Sequence, residues 1–251
     1  MLNSVERFSN RVANYVKYRP GYPKDVLALF QTEMGLTASS TLADVGSGPG
    51  ISARLFLENG NTVYCLEPNE AMRRAAEFAF GELPNFRSVN GTAEATTLPA
   101  GSVDFVMASQ AFHWFDPQPT RAEFDRILKS GGHIVLIWNE RQLDSTPFLR
   151  EYEEFIIVHA KDYAVVRHEN IHAEQLREFL GQKMQNATFE NEQIFDFDGL
   201  KGRMLSASYM PAESDNGYQA MIDELKALFA KHAENGKIKV LYDTNVYYKK
   251  Y

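Results

Sequence analysis

The sequence holds one cysteine in 251 residues, Cys65, so it can form neither an internal disulfide nor a cysteine-rich zinc site. No apolar run approaches the ~18 residues that a membrane-spanning helix needs. The opening stretch MLNSVERFSN lacks the apolar core of a secretory signal. These absences lead us to expect a cytoplasmic protein with no membrane partner. Basic residues are in deficit, 26 Lys and Arg against 33 Asp and Glu, which argues against a nucleic-acid partner. Internal repeats and low-complexity tracts are also missing, so one domain over 1–251 is expected. What is present, 44% hydrophobic residues, is enough to bury a full core. The oligomeric state is not legible.

The first half alternates between two periodicities. Short apolar runs at Thr41–Val45, Thr62–Leu66, Phe86–Val89, Val103–Ala108 and His133–Trp138 are bounded by turn residues or charges, as buried strands are. Helical patterns lie between them, at Gly50–Glu58, Glu70–Phe80 and Arg121–Leu128, with another at Pro23–Met34 ahead of the first strand. This order predicts an α/β fold, a mostly parallel sheet with helices on both faces. The second half predicts helices at Asp144–Val158, Ala173–Leu180 and Tyr218–His232 and a strand near Thr188–Phe197. Period-two alternation from Ile238 to Tyr248 marks a half-buried last strand and suggests an antiparallel terminal pair. The stretch Gly199–Tyr218, rich in Gly, Ser, Met and Tyr, is a candidate cap over a site.

Asp44-Val45-Gly46-Ser47-Gly48-Pro49-Gly50 follows the first strand and opens a helix. Glycines let a ligand press against backbone, and the helix start offers free N–H groups to an anion. Glu67 ends the second strand, where a carboxylate can accept both hydroxyls of a ribose. A dinucleotide fingerprint needs Gly or Ala where Ile51 stands, so an NAD(P)-dependent oxidoreductase is the weaker alternative. A non-catalytic nucleotide-binding or interaction protein is the other.

The G-x-G-x-G spacing behind Asp44 resembles motif I of the class I S-adenosylmethionine-dependent methyltransferases, and the resemblance extends over Thr41–Trp138. It implies a doubly wound, Rossmann-like, seven-stranded sheet with a helical cap. It also implies methyl transfer from S-adenosylmethionine, with S-adenosylhomocysteine as product. By position, Asp44, Gly46, Ser47, Gly48 and Gly50 would surround the methionine part and Glu67 the ribose. Pro68, Asn69 and Met72 would flank the adenine, with Thr92, Ala93 and Glu94 near its amino group. Ser109 and Gln110 would line the methionine side. The resemblance divides the domain into an N-terminal cap segment (1–40), a cofactor-binding core (41–140), and lid helices with terminal strands (141–251). Tyr18-Arg19-Pro20-Gly21-Tyr22-Pro23 and Ala111-Phe112-His113-Trp114-Phe115 are similar to a small-molecule subgroup that includes relatives of trans-aconitate methyltransferase. That similarity implies a small-molecule acceptor without identifying it.

His113 is the best candidate base, since it follows the fourth strand and imidazole titrates near neutral pH; packing against Trp114 is its alternative role. Trp114 either stacks on a ligand or plugs the core. Tyr15 and Arg19 precede the core, where the arginine either pairs with a carboxylate of methionine or substrate or lies on the surface. His168-Glu169-Asn170-Ile171-His172 fits the H-E-x-x-H letters of a zinc protease. That reading needs an unbroken helix, which Asn170 disfavours, and a third ligand, so no metal is expected.

Overall fold

The computed structural model describes residues 12–161, 163 and 173–251. The His168–His172 stretch lies outside the described residues. Seven strands form one sheet: β1 (Thr41–Val45), β2 (Thr62–Leu66), β3 (Phe86–Val89), β4 (Val103–Ser109), β5 (Leu128–Arg141), β6 (Gln185–Phe195) and β7 (Ile238–Lys250). Their spatial order is β3-β2-β1-β4-β5-β7-β6. The first five run parallel, while β7 enters antiparallel to both neighbours. The chain therefore reverses direction across the sheet between β1 and β4. In open α/β sheets that switch point leaves a crevice beyond the carboxyl ends of the strands.

Alternation along the strands builds two cores. Leu42, Phe105, Met107, Val135 and Ile137 face one side. There they meet Val26 and Phe30 of α2 (Lys24–Thr32) and Phe56 of α3 (Ile51–Glu58). Ala43, Val45, Val106, Ala108, Ile134 and Leu136 face the other. They pack on Phe124 and Ile127 of α5 (Pro117–Ile127) and on Phe179 of α7 (Ala173–Leu180). Helix α4 (Glu70–Phe80) adds Ala76 and Phe80 to the first core, and Asn69 Oδ1 caps it by accepting the Met72 N–H at 3.0 Å. A third cluster joins α6 (Pro147–His159), α8 (Phe197–Leu205) and α9 (Tyr218–His232) to the start of β7.

Several boundaries differ from the sequence expectation. Helix α5 starts at Pro117 rather than Arg121, because proline suits a first helical position, where no N–H is needed. Helix α6 starts at Pro147 rather than Asp144, with Thr146 Oγ1 accepting the Leu149 N–H at 3.1 Å. Helix α8, capped by Asp196, occupies the beginning of the stretch Gly199–Tyr218. No helix among the described residues is long and apolar enough to cross a membrane.

Helix α8 carries Gly202 against the N-terminal helix α1 (Val12–Tyr18). A Cβ at Gly202 would lie 2.0 Å from the Tyr18 ring. Gly202→Ala should therefore destabilise the fold by about 1–3 kcal/mol, the cost of overpacking. Chemical denaturation reads this directly, and an unchanged midpoint would mean that α1 does not dock on α8 in solution.

Candidate active site

A cavity of about 320 Å³ opens at the switch point, beyond the carboxyl ends of β1, β2, β4 and β5. Gly46 and Ser47 donate their N–H groups to Leu66 O at 2.9 and 3.1 Å, tying the loop after β1 to the end of β2. The glycines of this loop serve different purposes. All three have positive φ, between 54° and 83°. A Cβ at Gly46 would strike Ala111 Cβ at 2.6 Å, and one at Gly50 would strike the Phe80 ring at 2.7 Å. Those two glycines permit packing. At Gly48 a Cβ would meet nothing within 4 Å, and the residue lines the cavity. Ser47, Pro68, Asn69 and Met72 line it too, whereas Gly50 stands behind the loop as the α3 N-cap.

The two acids take different places. Glu67 lies at the wall, with Oε2 accepting the Gly48 N–H at 2.9 Å and Oε1 the Asn69 N–H at 2.8 Å. Partial burial raises its pKa, and these backbone donors oppose the rise. Asp44 is fully buried and does not line the cavity; its Oδ2 accepts the Ser52 hydroxyl at 2.6 Å. Burial, with the nearby Glu67 charge, pushes its pKa from 3.8 up to about 7. A carboxyl that holds its proton more tightly when folded loses stability as pH rises from about 4 through about 7. Asp44→Asn should flatten that part of the stability profile and be about 1–2 kcal/mol more stable than the parent at pH 8. Melting curves across pH check this, and an unchanged slope would show that Asp44 is ionised in the folded protein.

Thr92, Ala93 and Glu94 line the wall beyond β3. Glu94 Oε1 accepts the Asp116 N–H at 3.1 Å and so links this turn to the segment after β4. Ser109, Gln110, His113 and Trp114 all reach the cavity from that segment. Gln110 has φ 56°, a left-handed conformation costly for a residue with a side chain. It is held by its N–H to Ile137 O at 2.9 Å and its Nε2 to Asn139 O at 2.8 Å. The His113 and Trp114 rings lie 4.8 Å apart, both at the wall.

The N-terminal segment reaches the same cavity through Tyr15, Arg19 and Tyr22. Strands β5 and β6 hold it there. Asn139 Nδ2 and Asn191 Nδ2 donate to Gly21 O at 3.0 and 2.9 Å, and Gln193 Nε2 donates to Tyr18 O at 3.1 Å. Arg19 Nη2 donates to Ser206 O at 3.1 Å, with its guanidinium over the Tyr15 ring.

Asn139, Arg141, Tyr163, Arg203, Ser208 and Tyr209 also line the cavity, and sequence reasoning did not name them. Asn139 and Arg141 lie near the carboxyl end of β5, so the rule placing ligands at strand ends would have pointed to them. Arg203 and Tyr209 fall within the stretch read as a cap, with no local pattern to mark them. Arg141 is ion-paired with Glu153, which also accepts the Tyr163 hydroxyl at 3.1 Å. Among the described residues no group of three or more His, Cys, Asp or Glu could hold a metal.

Residues 43–136 match the family described as "Methyltransferase domain". An uncharacterised methyltransferase of Mycobacterium tuberculosis is 32% identical over 149 residues, 59% of this chain and 58% of that protein. The chain thus spans under two thirds of the length of that relative. An uncharacterised methyltransferase-like protein of Schizosaccharomyces pombe is 25% identical over 96% of this chain and 93% of its own length. Among solved structures, one from Anaeromyxobacter dehalogenans, provisionally described as a type II methyltransferase, superposes with TM-score 0.70. It shares 22% identity and covers 93% of this chain and 98% of that one.

Proposed function

We propose that this chain, which carries a methyltransferase domain on the class I S-adenosylmethionine-dependent fold, transfers a methyl group to a small-molecule acceptor and releases S-adenosylhomocysteine. The observation that carries this reading is the pairing of Gly48 and Glu67. A glycine whose missing Cβ leaves cavity space is fixed by its own N–H to a carboxylate at the cavity wall. A carboxylate so held retains lone pairs for the two hydroxyls of a ribose.

The cofactor would supply a methyl group activated by a positively charged sulfur, which would leave with the bonding electron pair. The protein's work is then to align the acceptor and exclude water. Gly46–Gly48, Glu67, Asn69 and Met72 would hold the cofactor, and Thr92–Glu94 would close its adenine end. Tyr15, Arg19 and the α8 region would cover the acceptor side, and a cavity of about 320 Å³ suits a small molecule better than a macromolecule. His113 stands where it can take a proton from an acceptor that must lose one. His113→Ala should then lower kcat by about 10²–10³-fold, with little change in cofactor affinity. A kcat–pH profile identical to the parent's would remove that role.

The test of the function is thermal unfolding with S-adenosylhomocysteine and, separately, with NAD and NADP. At a hundredfold excess over Kd a ligand adds about 2.7 kcal/mol, or roughly 5–10 °C for a chain of this size. A shift with S-adenosylhomocysteine alone supports methyl transfer. A shift with a nicotinamide nucleotide alone would put the oxidoreductase reading in its place.

A further inference from the structure

The cavity wall carries three arginines, Arg19, Arg141 and Arg203, but their charges are not equally compensated. Arg141 has Glu153. Arg19 and Arg203 have no ion pair among the described residues. Among the described residues Arg19 donates only from Nη2 to a backbone carbonyl, and its Nε is buried with no hydrogen-bond partner. Arg203 donates from Nε to the Tyr242 hydroxyl at 3.1 Å, and its two terminal nitrogens make no hydrogen bond among the described residues. The two guanidinium groups feel one another, since the Arg203 charge helps burial to lower the Arg19 pKa. Two neighbouring, half-buried cations that share a cavity wall repel one another, and a bound anion would relieve that cost.

Position separates this charge from the cofactor loop. Arg203 and Arg141 also border a second, smaller cavity, which is lined by Tyr152, Tyr209, Met210 and Tyr242. No residue of the glycine loop and no part of Glu67 touches it. Arg203 therefore belongs to the end of the site away from Gly46–Gly48. Tyr15, Trp114, Tyr163 and Tyr209 add aromatic surface to the cavity wall. Aromatic walls suit an organic skeleton, and a planar guanidinium fork matches a carboxylate.

We infer that the acceptor is a small organic acid, and that Arg203, with Arg19 beside it, holds its carboxylate. The inference rests on the methyl-transfer reading, and its test keeps the two apart. S-adenosylhomocysteine is titrated first into the full chain by calorimetry. Benzoate, cinnamate and succinate are then titrated into the saturated protein, each against its amide, with phenyl phosphate as a further arm.

At least one acid should bind tenfold or more tightly than its amide. In Arg203→Gln that preference should fall below twofold, while S-adenosylhomocysteine affinity stays within threefold. Arg203→Lys should keep part of the preference, and melting curves should show both variants folded. Acids that bind no better than amides would overturn the inference. So would a preference that survives Arg203→Gln, or phenyl phosphate binding more tightly than every carboxylate. Failure of S-adenosylhomocysteine to bind would sink the methyl-transfer reading instead. The acid–amide comparison on the unloaded protein would then still decide whether the arginines form a carboxylate site.

Discussion

Gly48→Val should abolish S-adenosylhomocysteine binding while leaving a folded protein. A Cβ at this position enters cavity space rather than protein, and the valine methyls would extend further into the volume where a ligand must lie. The expected loss is at least a hundredfold in Kd, or about 2.7 kcal/mol. The backbone at φ 54° resists a β-branched residue, so stability should also fall, by about 1–2 kcal/mol. The comparison variant is Gly46→Ala. There the Cβ meets Ala111 at 2.6 Å, and the damage should appear in unfolding rather than in binding alone. Isothermal titration on both variants, with melting curves beside it, separates space for a ligand from space for packing. If Gly48→Val binds within threefold of the parent, the loop is not the cofactor site.

Glu67→Gln should weaken S-adenosylhomocysteine binding by about 1.5–3 kcal/mol, the scale of a hydrogen bond to a charged group. The site demands an acceptor-only side chain. Gly48 N–H and Asn69 N–H each point at a different carboxylate oxygen. An amide can satisfy one of them, and its NH2 then faces the other donor. The variant therefore loses the charge, one acceptor and the fixed orientation of the loop together. The same reasoning sets the pH dependence. Burial raises the Glu67 pKa above its usual value, and protonation imitates the amide. Affinity should be full above that raised pKa and should fall as pH drops through it. Titrations of the parent and Glu67→Gln across pH test both statements. A Kd that is unchanged in the variant would move the ribose site elsewhere.

The elements most legible in the sequence were those with strong local causes. The five strands of the first half show as apolar runs, and the structure has a strand at each, although β5 runs well past both ends of its run and β3, at the sheet edge, is largely exposed rather than buried. The glycine loop was legible because three closely spaced glycines between a strand and a helix are rarely tolerated for nothing. Glu67 was legible because it ends β2, next to the strand carrying that loop. Helix starts were read less well where proline set them, at Pro117 and Pro147. The separate duties of Gly46, Gly48 and Gly50 were not legible at all. They depend on Ala111 and Phe80, 65 and 30 residues further along the chain.

By itself, then, the sequence determined the parallel core, the half-buried terminal strand, the loop after β1 and the acid after β2, because periodicity, turn residues and strand ends act over a few residues. Only the tertiary structure decided which side chains face the cavity. Asp44 sits one strand position from the loop, yet it turns inward to Ser52 and stays buried. Arg19 reaches the cavity because Asn139, Asn191 and Gln193 pin the segment from Tyr18 to Gly21 onto the far strands. Arg203 meets it there because α8 packs between α1 and the third core. The contacts that place the two arginines join residues more than a hundred positions apart, and no local pattern carries a charge balance that is settled only when such distant segments are brought together.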